Sequence, residues 1–258
     1  MRSRGLGALL LALAMVGATS VRADELITLP TRSGVTVSYW YMPRTNASAT
    51  LLLMPGGAGG IGMRNGRPQS GNFLVRSRDL FAAEGFNVAI VGRPSDVADM
   101  DTAFRAGAAH MEDMRRVLAD LRARADVPLW LVGTSRGTVS ATAAAIAIGP
   151  PQVAGIVLTS SVTAFKVPGA VPTQRLSEVR VPVLVLHHEK DACPTCAPHE
   201  VSWIVSGLTQ APVKKLIWAS GGEGARGDPC EPFHWHGYIG MEAQAVSWIT
   251  SWVRQPTP

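Results

Sequence analysis

The sequence predicts an α/β fold, with one mostly parallel central sheet, helices on both faces and an antiparallel N-terminal edge, and three observations carry this. From about residue 50 onward, short continuous apolar runs alternate with segments of helical period. Most of those runs have the unbroken hydrophobic character of strands buried on both faces. The length beyond an N-terminal leader, about 235 residues, suits one such domain with a full core.

The leader comes first. Arg2 and Arg4 precede the apolar run 6–18, which ends in small residues and then Val21-Arg22-Ala23, the pattern of an export signal cleaved after Ala23. The run is shorter than the ~20 residues a membrane-spanning helix needs, and no later segment replaces it. Residues 1–23 are therefore expected to be a signal peptide, residues 24–258 a single soluble domain, and the location periplasmic or extracellular. The formal charge of +5 contains Arg2, Arg4 and Arg22, so the mature balance is +2. No basic run is interleaved with aromatic residues, which removes the electrostatic footprint of a nucleic-acid or membrane-surface binder. Small molecules are the expected partners.

Two strands at 26–29 and 35–41 are expected to form the antiparallel edge. The buried strands follow at 50–54, 87–91, 129–132, 154–158, 183–186 and 214–218. Between them the clearest helix is 102–124, where Met111, Met114, Leu118 and Leu121 recur at helical spacing opposite Glu112, Asp113, Arg116 and Asp120. Further helices are expected at 73–83, 138–148, 200–208 and 241–253. The connection 161–179, with Pro168, Gly169 and Pro172, is too short for a large cap domain, so a site beneath it should be open.

The strand 129–132 runs into Gly133-Thr134-Ser135-Arg136-Gly137 and then a small-residue helix. A serine on so sharp a strand-to-helix turn has strained backbone angles and crowded neighbours two positions away on either side, where Gly133 and Gly137 stand. The turn lifts the hydroxyl above the carboxyl end of the sheet. It also points the N–H of Arg136, at the helix N-terminus, toward a developing oxyanion.

With these residues in place the chain resembles the α/β-hydrolase superfamily over essentially its whole mature length. The stretches GNFLVRSRDLFAAEGFNVAIVG, LVGTSRG, VLHHEKDAC and PCEPFHWHGYIGMEAQAV look like a group of small exported bacterial serine hydrolases of esterase type. The resemblance implies the order nucleophile, acid, histidine, with the acid after strand 183–186 and the base after the last strand. Asp191 and His236 occupy those places. Asp191 would orient the imidazole through Nδ1, and Glu189, nearer the strand end, is its rival. His234 competes with His236, but His236-Gly237 just before the terminal helix matches the family's placement of its base; His234 is left for the pocket wall. His110, His199, His187 and His188 read as structural, with His187 and His188 within reach of the site edge.

The segment Pro55-Gly56-Gly57-Ala58-Gly59-Gly60-Ile61-Gly62 resembles the glycine loop that supplies the second oxyanion N–H, with Pro55 in place of the usual histidine. Gly57 is the first choice of donor and Ala58 the second, beside Arg136. The same residues spell a dinucleotide fingerprint, but Asn65, Gly66, Pro68, Ser70 and Gly71 follow where a helix should open, so no cofactor is expected.

Cys193, Cys196 and Cys230 all lie in the C-terminal third, and export favours disulfides. A Cys193–Cys230 bond would tie together the loops of the proposed acid and base, with Cys196–Cys230 as the alternative. Cys193-Pro194-Thr195-Cys196 lacks the setting of a redox motif, and a Cys₃His zinc site with His234 or His236 is a further assignment, disfavoured against no metal. The expected activity is ester hydrolysis through an acyl-Ser135 intermediate. Amide or peptide hydrolysis, with short peptides as substrates, is the runner-up, and ligand binding without turnover is the rival from another class. Arg93, Arg136 and residues 64–70 are the remaining candidates for the pocket, with solvated surface the favoured reading of each.

Overall fold

The computed structural model describes residues 23–258, so the expected leader, Ala23 apart, lies outside the described residues. In chain order the strands are β1 (Glu25–Arg32), β2 (Val35–Met42), β3 (Thr50–Met54), β4 (Met63–Arg64), β5 (Arg67–Pro68), β6 (Asn87–Pro94), β7 (Leu129–Thr134), β8 (Gly155–Thr159), β9 (Val183–His188) and β10 (Lys214–Ala219). Eight of them form one sheet in the order β1-β2-β6-β3-β7-β8-β9-β10. The β1–β2 and β2–β6 pairs are antiparallel and every later pair is parallel, so the expected N-terminal edge is present. The small hairpin of β4 and β5 was not expected; Asn65 and Gly66 sit at its turn with positive φ.

The helices are α1 (Phe73–Arg76), α2 (Arg78–Ala83), α3 (Thr102–Ala106), α4 (Ala108–Arg124), α5 (Arg136–Ala147), α6 (Val201–Gly207) and α7 (Glu242–Arg254). Alternate side chains of the buried strands feed two cores, one on each face of the sheet. Leu52, Leu131 and Ile156 meet α4, α5 and α6 on one face, while Leu51, Val132 and Val157 meet α1, α2 and α7 on the other. Every residue of β3, β7, β8 and β9 is buried, which is why the central part of each reads as a continuous apolar run, with polar residues only at the strand ends. The edge strand β10 is mostly half-exposed, and Lys214 on it donates to the carbonyls of Val205 and Leu208 at the end of α6.

Three expectations need correction. The helix expected over 102–124 is two helices, because Gly107 is extended (φ −84°, ψ 162°) and Asp101 starts α3 by accepting from Phe104 N at 2.7 Å. The helix over 73–83 likewise divides at Ser77. Asp113, assigned to the polar face, is fully buried and accepts from Arg32 Nε at 2.9 Å. Helical period counts neighbours along one helix; it cannot register a guanidinium delivered by β1, and without that partner the buried carboxylate would be costly.

The connection after β8 holds only two short 3₁₀ turns, Val171–Thr173 and Leu176–Glu178, and no cap domain. Among the described residues no helix is long and apolar enough to cross a membrane.

Candidate active site

Ser135 stands between β7 and α5 with φ 53° and ψ −128°, a strained conformation for a side-chain-bearing residue. Neighbouring groups hold it there. Ser135 N donates to Thr159 O at 3.0 Å, while Thr138 donates to Ser135 O from its amide at 2.9 Å and its hydroxyl at 2.6 Å. The bend is tight enough that a Cβ on Gly137 would lie 1.9 Å from Met54 O, and one on Gly133 would lie 2.5 Å from Gly137 O. Both glycines therefore do the steric work expected of them.

Asp191 follows β9 and turns back through its own N–H, which donates to His188 O at 3.0 Å. Its Oδ1 accepts from Cys193 N at 3.0 Å, and its Oδ2 accepts from His236 Nδ1 at 2.8 Å. Both residues are nearly inaccessible, so this hydrogen bond forms away from bulk water. His236 lies in a 3₁₀ turn, Trp235–Gly237, that is fastened on both sides. Ser160 Oγ donates to His236 O at 2.8 Å, Arg76 Nη2 donates to Gly237 O at 2.5 Å, and Tyr238 donates its hydroxyl to Leu186 O at 2.7 Å. The other ring nitrogen of His236, Nε2, is buried and has no hydrogen-bond partner among the described residues.

Ser135 and His236 line one cavity of about 310 Å³, together with Gly56, Gly57, Ala58 and Cys230. The structure thus brings together the predicted nucleophile, base and glycine loop, and the predicted acid reaches the base from behind. Arg136 opens α5 with its N–H at the helix start, while its side chain turns outward to Asp99 at 3.2 Å. Ser70 also lines the cavity, whereas Arg93 lines a separate one. His234 does not itself line the cavity; its ring packs edge-on against Trp235 at 4.9 Å. Glu189 instead borders a surface cleft with His199 and Trp218.

His187 has a larger place than its position at a strand end suggested. It is fully buried, donates from Nε2 to Cys196 O at 2.9 Å, and holds the same nitrogen 3.5 Å from Asp191 Oδ2. Burial, against the pull of Asp191, lowers its pKa to about 4, which keeps the ring neutral beside the carboxylate. The doublet His187-His188 was the only signal in the sequence. His188 faces elsewhere, donating from Nε2 to Gly221 O at 3.0 Å.

Cys193 and Cys230 form a disulfide, leaving Cys196 as a buried thiol whose pKa burial pushes up to about 12. Sulfur atoms of Cys193 and Cys196 and a ring nitrogen of His236 lie within 4.8 Å of one another. With Cys193 taken by the disulfide, Cys196 and His236 supply two donors where a structural zinc site needs four. The glycine loop is followed by the β4–β5 hairpin rather than by the helix a dinucleotide fingerprint requires.

No protein-family model matches the sequence, and no curated protein matches it. Solved structures do. A Pyrococcus furiosus esterase superposes with a TM-score of 0.67 at 12% identity, over 90% of this chain and 91% of that one. A Xanthomonas campestris serine hydrolase without a lid gives 0.60 at 16% identity, over 91% and 97% of the two chains. A Coxiella burnetii serine hydrolase homologue gives 0.60 at 12%, over 90% and 98%. At such identities the likeness speaks for the backbone, and with the strand order above it gives the conclusion that this chain has the α/β-hydrolase fold, without a large cap domain.

Proposed function

We propose that the chain is an exported serine hydrolase that cleaves carboxylic esters of small molecules through an acyl-Ser135 intermediate. The observation that carries this is the Asp191–His236 hydrogen bond, which leaves Nε2 without a partner among the described residues on a histidine that lines the same cavity as the strained Ser135. In this reading His236 Nε2 takes the proton of Ser135 as its Oγ attacks the ester carbonyl carbon, and Asp191 stabilises the imidazolium. The carbonyl oxygen becomes an oxyanion held by the Arg136 N–H and by an N–H of Gly57 or Ala58. Collapse expels the alcohol, protonated by His236. Water, deprotonated by the same ring, then attacks the acyl-serine and releases the acid.

A cavity of about 310 Å³ lies at the small end of ligand sites, which favours short acyl groups. The disulfide agrees with an oxidising compartment outside the cytosol. The test is direct. Wild type and Ser135→Ala are treated with a fluorophosphonate probe and assayed on a series of chromogenic esters alongside peptide amides. Labelling and turnover confined to wild type, fastest on short acyl esters, are expected; equal behaviour of the two proteins would defeat the proposal, and faster amide cleavage would redirect it to peptides.

A further inference from the structure

Arg105, in α3, is 2% exposed and lies behind the glycine loop, outside the cavity itself. Among the described residues, all its hydrogen bonds go to neutral groups. Nε donates to Met100 O at 2.9 Å, Nη1 to Ser140 Oγ at 3.1 Å, and Nη2 to both Pro55 O at 3.1 Å and Gly57 O at 3.2 Å. Burial lowers its pKa to about 10, with Arg136 adding to the effect and Asp99 and Asp101 opposing it, so the guanidinium still carries its charge at neutral pH. A buried cation without a hydrogen-bonded carboxylate is expensive, and packing alone does not call for one.

The contacts to Pro55 and Gly57 show what it does locally. Gly56 O accepts from Gly59 N at 3.1 Å and Ala58 O accepts from Met100 N at 3.2 Å. With the two bonds from Arg105, every carbonyl from residue 55 to 58 is therefore held by a protein group. In a planar trans peptide the N–H points opposite to the C=O. Fixing Gly57 O on the guanidinium thus turns the Ala58 N–H the other way, and Ala58 lines the cavity with Ser135 while Arg105 does not. The direction of the Gly57 N–H is set instead by the 56–59 turn. The loop is seated on the serine: a Cβ on Gly56 would lie 2.7 Å from Ser135 Cβ.

We propose that Arg105 is a positioning residue of the oxyanion hole, holding the Gly57 carbonyl so that Ala58, rather than Gly57, supplies the second N–H beside that of Arg136. This rests on the serine-hydrolase reading above. The fixed charge behind the loop, itself buried, also favours negative charge in front of it.

Arg105→Gln and Arg105→Lys are compared with wild type by steady-state ester hydrolysis and by inhibition with phenylboronic acid, which adds to the serine as a tetrahedral anion. Loss of one oxyanion donor is worth about 10²-fold in kcat. The Gln variant is expected to lose that much with KM nearly unchanged, to bind the boronate correspondingly less tightly, and to be partly rescued by Lys, whose ammonium reaches one carbonyl. A folded variant with wild-type kcat and boronate affinity, or one in which only KM rises, would overturn the proposal. If the Gln variant does not fold, the Lys variant carries the same comparison. The amide resonance of Ala58 gives a readout independent of turnover: it shifts in Arg105→Lys if the peptide is held as described, and an unchanged resonance refutes the assignment. A wild type that neither reacts with fluorophosphonate nor hydrolyses ester would remove the enzyme reading, while the Ala58 resonance would still decide the role of Arg105.

Discussion

Asp191 Oδ2 accepts the Nδ1 hydrogen of His236 at 2.8 Å, across a sequence separation of 45 residues. The bond fixes which nitrogen carries the proton and leaves Nε2 free to accept one. Asp191→Asn keeps the size of the side chain but removes the charge and permits the wrong tautomer, so kcat on a chromogenic ester should fall by about 10³- to 10⁴-fold with KM little changed. Steady-state kinetics on the purified variant check this, and a kcat within tenfold of wild type would contradict the assigned role.

Gly137 tests the elbow by sterics. A methyl group there would collide with a backbone carbonyl at 1.9 Å, and no rotamer change relieves a clash with Met54 O. Gly137→Ala should therefore lose about 3 kcal/mol or more of stability, or fail to fold. Urea unfolding of the variant gives the number; a midpoint equal to wild type would mean that the bend is looser than described.

The Cys193–Cys230 disulfide closes a separation of 37 residues that contains β10. Chain entropy assigns such a loop about 3–4 kcal/mol. The double variant Cys193→Ser, Cys230→Ser should melt several degrees lower, and because Cys230 lines the cavity its activity should fade at temperatures the wild type tolerates. Thermal unfolding and activity after graded heating measure both. Equal melting temperatures would show that the bond closes a loop already ordered by other contacts.

Acid should destabilise the protein through two histidines outside the proposed triad. Burial lowers the pKa of His110 to about 3 and that of His187 to about 4, from 6.5. Below about pH 6.5 the unfolded chain takes up protons that the native chain refuses. Stability from both groups is therefore complete above pH 6.5 and is lost progressively as pH falls toward 4, on the order of 3 kcal/mol or more. Denaturant titrations at pH 7.5, 6, 5 and 4 follow the loss. His110→Asn should flatten the slope whatever it does to stability at pH 7.5, and an unchanged slope would acquit this residue.

Much of the sheet could be read from the chain because strands buried on both faces are mostly apolar, and the runs 51–54 and 183–186 within β3 and β9 are wholly so. Ser135 was marked by its own neighbours, since Gly133 and Gly137 answer a local steric demand. The breaks at Ser77 and Gly107 and the burial of Asp113 were not visible in the same way. The burial of Asp113 depends on what another element presents, Arg32 arriving from β1 to meet it at 2.9 Å, while the breaks turn on backbone angles at Ser77 and Gly107 that side-chain periodicity does not register.

The amino-acid order alone determined the α/β class, the antiparallel edge, the position of the strained serine and the candidates for its partners. These follow from periodicity, side-chain volume and turn chemistry, which act over a few residues. Folding in three dimensions decided that His236 meets Asp191, that His187 stands on the same carboxylate oxygen, that Cys193 rather than Cys196 pairs with Cys230, and that Arg105 lies beneath the glycine loop. Those are contacts between distant segments, and their energies depend on separation and burial, quantities that exist only once the sheet has brought the loops at its carboxyl end together.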